Sequence, residues 1–182
     1  AAALAEADQM IEAAERAGVV LMIAETVRFN PLLHKIRELL QDGVIGQPAL
    51  IQMAREDYMT SFLKERRWFL DAKAAAGGIM MSGGIHDFET MRMLIGEVES
   101  VQALRARQRF VEMEGDDTSI AMVRFRDGTV GTLVESFVMK SLMSAAGAGG
   151  RLLRIDGDLG SLSVRDGRTI HLFSEREVLL LQ

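Results

Sequence analysis

Ser119-Ile120-Ala121-Met122-Val123-Arg124-Phe125 is followed by Arg126-Asp127-Gly128 and then by Val130-Gly131-Thr132-Leu133-Val134. Two short apolar runs around an Asp-Gly pair are a strong hairpin signal, because that dipeptide tolerates the positive φ angles of a tight turn. The pattern recurs. Asp156-Gly157-Asp158 separates Leu152–Asp156 from Leu162–Arg165, and Arg165-Asp166-Gly167 precedes Ile170–Phe173. With Val101–Phe110 and a second run extending to Met139, everything after Gly96 reads as short strands.

Before Gly96 the period changes. Pro31 can open a helix, since its missing N–H costs nothing there, and Leu33, Ile36, Leu39 and Leu40 mark its apolar side to about Gln41. Ala49 to Arg55 suits a strand, and Arg66 to Lys73 an irregular stretch or short helix. From Ile79 the chain is apolar, passes Ser82-Gly83-Gly84 and continues as a helix to about Ile95, where Gly96 stops it. Helices first and strands afterwards predict an α+β layer: a largely antiparallel open sheet with helices on one face.

The N-terminal stretch belongs to a different pattern. Leu4, Ile11 and Ala14 form one stripe of a helix that Gly18 ends. Val19-Val20-Leu21-Met22-Ile23-Ala24 has no polar alternation, which predicts a strand buried on both faces. Helix, glycine and buried strand form the closing step of a parallel α/β sheet, and such a step cannot bury itself. Residues 1–24 are therefore expected to be the remnant of a domain whose other strands lie outside this chain, and residues 25–182 a second domain, itself truncated near its end.

Composition narrows the function. The chain has 182 residues, 48% of them hydrophobic and 26% charged, with a net charge of −5. A pI near 5.3 argues against a general nucleic-acid binder, which needs a basic surplus. No cysteine is present, so disulfides and thiolate chemistry are excluded, in keeping with a cytoplasmic location. No apolar run approaches a membrane span, and Glu6, Asp8, Glu12 and Glu15 make the N-terminus unlike a signal or transit peptide.

The stretch richest in chemistry is Ala76-Gly77-Gly78-Ile79-Met80-Met81-Ser82-Gly83-Gly84-Ile85-His86-Asp87. Glycines permit close backbone approach to a ligand, and a histidine follows in the first turns of a helix. Oxidising an alcohol requires a base for the hydroxyl proton, and imidazole titrates in the right range. The competing reading is a core histidine that simply makes a hydrogen bond.

Several motifs together resemble one family. Arg28-Phe29-Asn30-Pro31, Gly43-Val44-Ile45-Gly46, Trp68 to Asp71, Gly77 to His86, Gly96-Glu97-Val98, Asp116-Asp117-Thr118 and Gly157-Asp158-Leu159-Gly160 fall in the order seen in glucose–fructose oxidoreductase / inositol dehydrogenase / MocA (Gfo/Idh/MocA) proteins. The resemblance implies a Rossmann domain binding NAD or NADP, joined to a C-terminal domain that shapes a sugar or polyol pocket and makes homodimers or homotetramers. It implies His86 as the acid/base residue, with Ser82 beside it and Asn30, Arg67 and Trp68 shaping the pocket. The family's Glu-Lys-Pro lysine and glycine-rich phosphate loop have no counterpart here, so no cofactor is expected on this chain alone. Ser82 also stands where the family usually has aspartate, one helical turn from the histidine. A hydroxyl supports an imidazolium less well than a carboxylate does.

Other candidates point less clearly to a site. Arg105, Arg107 and Arg109 alternate along a strand and suit a solvated or intersubunit face. Gly147-Ala148-Gly149-Gly150 has the wrong glycine spacing for a dinucleotide loop, and Ser144–Gly150 is expected to be a mobile loop. His34 and His171 add no zinc spacing, and twelve methionines suit gap-filling in a core. Helices on one sheet face predict an apolar open face for a symmetric partner, with Ile120, Met122 and Leu133 as candidate residues whose parity the sequence leaves undecided. The reading is thus part of an NAD(P)-dependent sugar, cyclitol or polyol oxidoreductase. Its rivals are a non-catalytic oligomerisation or sugar-binding module and a sugar sensor of the same fold.

Overall fold

The computed structural model describes residues 3–106, 109–140, 151–165, 167–175 and 178–181. Helix α1 runs Leu4–Ala17 and ends at Gly18, whose φ of 64° is the left-handed cap that the glycine permits. A 3₁₀ turn, Thr26–Phe29, leads into α2, Pro31–Gln41, with Asn30 as its N-cap and Pro31 in the first turn. Strand β1, Pro48–Glu56, is followed by a short helix α3, Thr60–Glu65, and a 3₁₀ turn, Arg67–Leu70. A π-helical turn, Met80–Gly84, opens directly into α4, Ile85–Leu94.

The remaining strands are β2 Val98–Ala106, β3 Thr118–Phe125, β4 Val130–Ser136, β5 Arg151–Gly157, β6 Gly160–Val164, β7 Ile170–Ser174 and β8 Val178–Leu181. They join β1 in one sheet of order β2-β3-β4-β1-β5-β6-β7-β8. All neighbouring pairs are antiparallel except β1 with β4, which run parallel. This is the expected α+β open sheet. The anticipated turns at Asp127-Gly128 and Gly157-Asp158 connect antiparallel neighbours, and Asp127 accepts from the Thr129 N–H.

One face of the sheet carries the core. Ile51 and Met53 of β1, Val123 of β3, Leu133 of β4 and Ile155 of β5 alternate inward and meet Leu33 and Ile36 of α2 and Met91 and Leu94 of α4. A second cluster joins Leu63 of α3 and Leu70 to Ile79, Phe110, Met113 and Phe137. The opposite face is open. Ile120 and Met122 are 45% and 56% exposed there, whereas Leu133 is fully buried, so of the three candidate interface residues Leu133 belongs to the core instead. Its in-register neighbours Met53 and Ala121 share its inward direction.

The strand expected at Val19–Ala24 does not form. The segment has no regular secondary structure and pairs with no strand among the described residues, and Val20 is 93% exposed. A strand needs a neighbour to satisfy its backbone groups and cover its side chains, and none of the described strands lies beside this one. α1 likewise contributes no buried residue. Arg107 and Ser144–Gly150 lie outside the described residues.

Candidate functional site

The loops at one end of α2 and α4, together with the ends of β1 and β5, enclose a cavity of about 530 Å³. The route to it begins with glycine packing. Gly78 lies against the chain at Asp116, where a Cβ would come 2.1 Å from the Asp116 carbonyl oxygen. That close approach lets the Ile79 N–H donate to the Asp116 carbonyl at 2.8 Å and the Met80 N–H to its carboxylate. Asp116 also accepts from the Ser119 hydroxyl, and Asp117 accepts from the Arg109 and Phe110 N–H groups. The Asp116-Asp117-Thr118 motif is thus a latch that holds the glycine-rich segment against the sheet, and its acids are buried for that purpose.

Fixed in this way, the π-turn presents Ser82, Gly83, His86 and Asp87 to the cavity. The His86 Nδ1 lies 2.9 and 2.8 Å from the two carboxylate oxygens of Glu25. A carboxylate can only accept, so Nδ1 is the donor in this contact. Glu25 itself caps the 3₁₀ turn by accepting from the Val27 N–H at 3.1 Å. Burial works against its charge, but the Val27 N–H, the hydrogen bond and charge of His86 and the Thr26 N–H together hold the carboxyl below its usual range. A histidine oriented by a carboxylate, with its second nitrogen unbonded among the described residues, is equipped to accept or return a proton.

Ser82 reaches the same cavity but does not orient His86. Its hydroxyl donates back to the Gly78 carbonyl at 3.2 Å and toward that of Ile79 at 3.4 Å. Back-bonding of this kind is what a serine does within a helix when no better acceptor faces it. Asn30 also lines the cavity, although its Oδ1 is engaged with the Leu32 N–H at 2.9 Å. Arg67 and Trp68 do not line it. Trp68 is 53% exposed and stacks on Phe69, which takes the expected place in the cavity wall beside Phe62.

Sequence reading missed Glu25, because its partner lies 61 residues away. It also missed Arg55, whose Nε donates to Asp57 at 3.0 Å, and the buried Glu135 of β4. Alternation of β4 placed Glu135 on the same face as Leu133, and that was the available signal.

Of the other histidines, His34 Nε2 lies 2.7 Å from the Arg28 carbonyl and His171 sits in β7. Among the described residues no three His, Cys, Asp or Glu side chains are arranged to hold a metal ion, and no helix is long and apolar enough to cross a membrane.

The fold is a largely antiparallel open sheet with helices on one face and a pocket beside His86. The chain belongs to the Gfo/Idh/MocA family: residues 33–163 match the GFO/IDH/MocA C-terminal domain. It is 30% identical over 137 residues to myo-inositol 2-dehydrogenase of Thermotoga maritima, covering 73% of this chain and 39% of that protein. It is 26% identical over 159 residues to D-apiose dehydrogenase of Paraburkholderia graminis, covering 87% of this chain and 40% of the relative. In structure it resembles an oxidoreductase from Agrobacterium radiobacter solved with NAD+, L-tartaric acid and magnesium, with a TM-score of 0.85 at 19% identity over 98% of this chain and 50% of that one. The chain therefore spans about two fifths of the length of these curated relatives.

Proposed function

We propose that this chain is the substrate-pocket and oligomerisation part of an NAD(P)-dependent oxidoreductase acting on a hydroxyl carbon of a sugar, cyclitol or related polyol. Residues 1–24 would complete the nucleotide-binding domain and residues 25–182 form the pocket domain. The observation that carries the reading is His86, held by Glu25, on the wall of a 530 Å³ cavity. The relatives named as inositol and apiose dehydrogenases support the substrate class. The remainder of the parent protein would hold the nicotinamide, which supplies hydride transfer when bound.

Within this chain, His86 Nε2 would take the proton of the reacting hydroxyl as the alcohol is oxidised and return it in the reverse direction. Glu25 would steady the charge that this creates on the ring, the service the family usually draws from an aspartate at the Ser82 position. Asn30 and Ser82 would border the substrate. The test restores the upstream domain and compares the parent with His86→Ala on a panel of polyols. Turnover should fall by about 10²–10⁴-fold, the usual worth of a general base. Turnover untouched by the change would remove His86 from the mechanism.

The open sheet face supports self-association. Ile120, Met122 and Val130 expose apolar surface there, beside a shallow concavity of about 320 Å³ lined by Leu50, Met122 and Thr132. We infer a homodimer or homotetramer through this face, and a monomer by light scattering would contradict it.

A further inference from the structure

Glu135 is distinctive among the described carboxyls: both of its oxygens are sealed from solvent and neither has a hydrogen-bond partner. It lies near the middle of the sheet on the helix-facing side of β4, in register with Arg55 of β1 and Ser119 of β3. Arg151 of β5 lies in register with Arg55 on its far side. Of these neighbours, Arg55 donates through its Nε to Asp57 and Ser119 through its hydroxyl to Asp116.

From above, the π-turn closes over the carboxyl. A Cβ on Gly83 would come within 3.1 Å of Glu135 Oε2 and 2.9 Å of an Arg55 Nη, so this glycine lets the turn settle onto both groups. The group that faces Glu135 from α4 is the carboxyl of Asp87, itself buried and one residue beyond His86. Two ionised carboxylates offer acceptors only and cannot bond to one another. Burial first, and then Asp87, push the Glu135 carboxyl up to about 10, against the opposing pull of Arg55 and Arg151.

We propose that Asp87 and Glu135 share one proton across the interface between α4 and β4, and that this acid pair is a positioning device for His86. With its proton, Glu135 gains the donor that its burial demands, and Asp87 becomes the acceptor. The pair then ties the first turn of α4 to the sheet directly beneath His86, while Glu25 holds the imidazole from the other side. It also places one negative charge beside the pocket in place of two. The positioning role rests on the proposed function of His86; the shared proton does not.

The test uses this chain with Glu135→Gln, which keeps shape and donor, and Glu135→Met, which removes the donor. Infrared spectra at neutral pH should show a protonated-carboxyl stretch in the parent chain that is missing from the glutamine chain. No such band, or a band that survives the change, overturns the shared proton. The NMR titration of the His86 ring should stay where it is in Glu135→Gln, because the glutamine replaces an acid that was already neutral. A downward move there would mean that a charge had been removed, and would also overturn the proposal. In Glu135→Met the ring titration should move, since Asp87 loses its donor, and an unmoved ring would overturn the positioning role. Should the methionine chain fail to fold, Glu135→Leu, which also lacks a donor, decides positioning by the same ring titration, and an unmoved ring would overturn it. All the measurements on this chain are independent of hydride transfer, so their failure is distinct from failure of the proposed activity.

Discussion

Residues 19–23 and the strands of the sheet make an instructive pair. Val19-Val20-Leu21-Met22-Ile23 is a more continuous apolar run than β4, in which Gly131, Thr132 and Glu135 interrupt the hydrophobic residues. Yet the first lies exposed, with Met22 and Ile23 at 75% and 76%, and Leu133 in the second is completely buried. Hydrophobicity creates the demand for burial, but only neighbouring strands and helices can meet it. β4 has β3 and β1 beside it and the helices above, whereas residues 19–23 have no paired strand among the described residues. Together with α1, which buries nothing, they leave apolar side chains in solvent, and the proposed assignment to a nucleotide-binding domain would cover them.

Substitutions on both sides can break or sharpen this contrast. The largest effect is expected at Leu133, where truncation to alanine leaves a cavity in the core and should cost about 2–5 kcal/mol in denaturant unfolding. A loss near zero would mean that the sheet face is not the true core.

Next comes the pH dependence that the buried acid imposes. Burial first, and then Asp87, push the folded Glu135 carboxyl up to about 10 from an ordinary value of 4.5. Below 4.5 both folded and unfolded chains hold the proton, and its contribution to stability is complete. Between the two values the unfolded chain releases a proton that the folded chain keeps, so stability falls as pH rises, by up to about 1.4 kcal/mol per unit. Glu135→Gln should flatten that slope in urea titrations across the window, and an unchanged slope would place its origin in other groups.

A smaller effect is expected at Asn30, whose side chain caps α2. Asn30→Ala should cost about 1 kcal/mol by thermal unfolding, as caps generally do. The smallest belongs to the unpartnered strand: Val20→Ser should leave unfolding within about 0.5 kcal/mol of the parent chain. A loss comparable to that at Leu133 would show that residues 19–23 already have a partner in solution and would erase the contrast.

Much of the fold could be read directly. The turns at Asp127-Gly128 and Gly157-Asp158, the end of α1 at Gly18 and the start of α2 at Pro31 each rest on local backbone chemistry, and these are found where the residues place them, whereas Asp166 lies outside the described residues. α3 was not anticipated, because Thr60–Glu65 is only six residues long and has a single buried side chain, Leu63. The parallel pairing of β1 with β4 was also hidden, since the two strands are separated by several other elements and nothing local records their meeting.

At the site the same division holds. His86, Ser82 and Asn30 reach one cavity, whereas Arg67 and Trp68 stand outside it and Phe62 and Phe69 supply the aromatic wall. The roles within the cavity changed more than its membership. Ser82 turns to its own helix, and Glu25 takes up the imidazole.

By itself, the sequence determined where chain direction and local conformation change, because glycine, proline, asparagine and the alternation of apolar residues act within a few positions. It determined too that a histidine would follow a glycine-rich turn. Only the tertiary structure decided which face of each strand is the core, which carboxylate meets His86 and that Glu135 is enclosed beneath Asp87. Those outcomes depend on groups far apart in the chain sharing one small, poorly solvated space, where the energy of each is set by its neighbours.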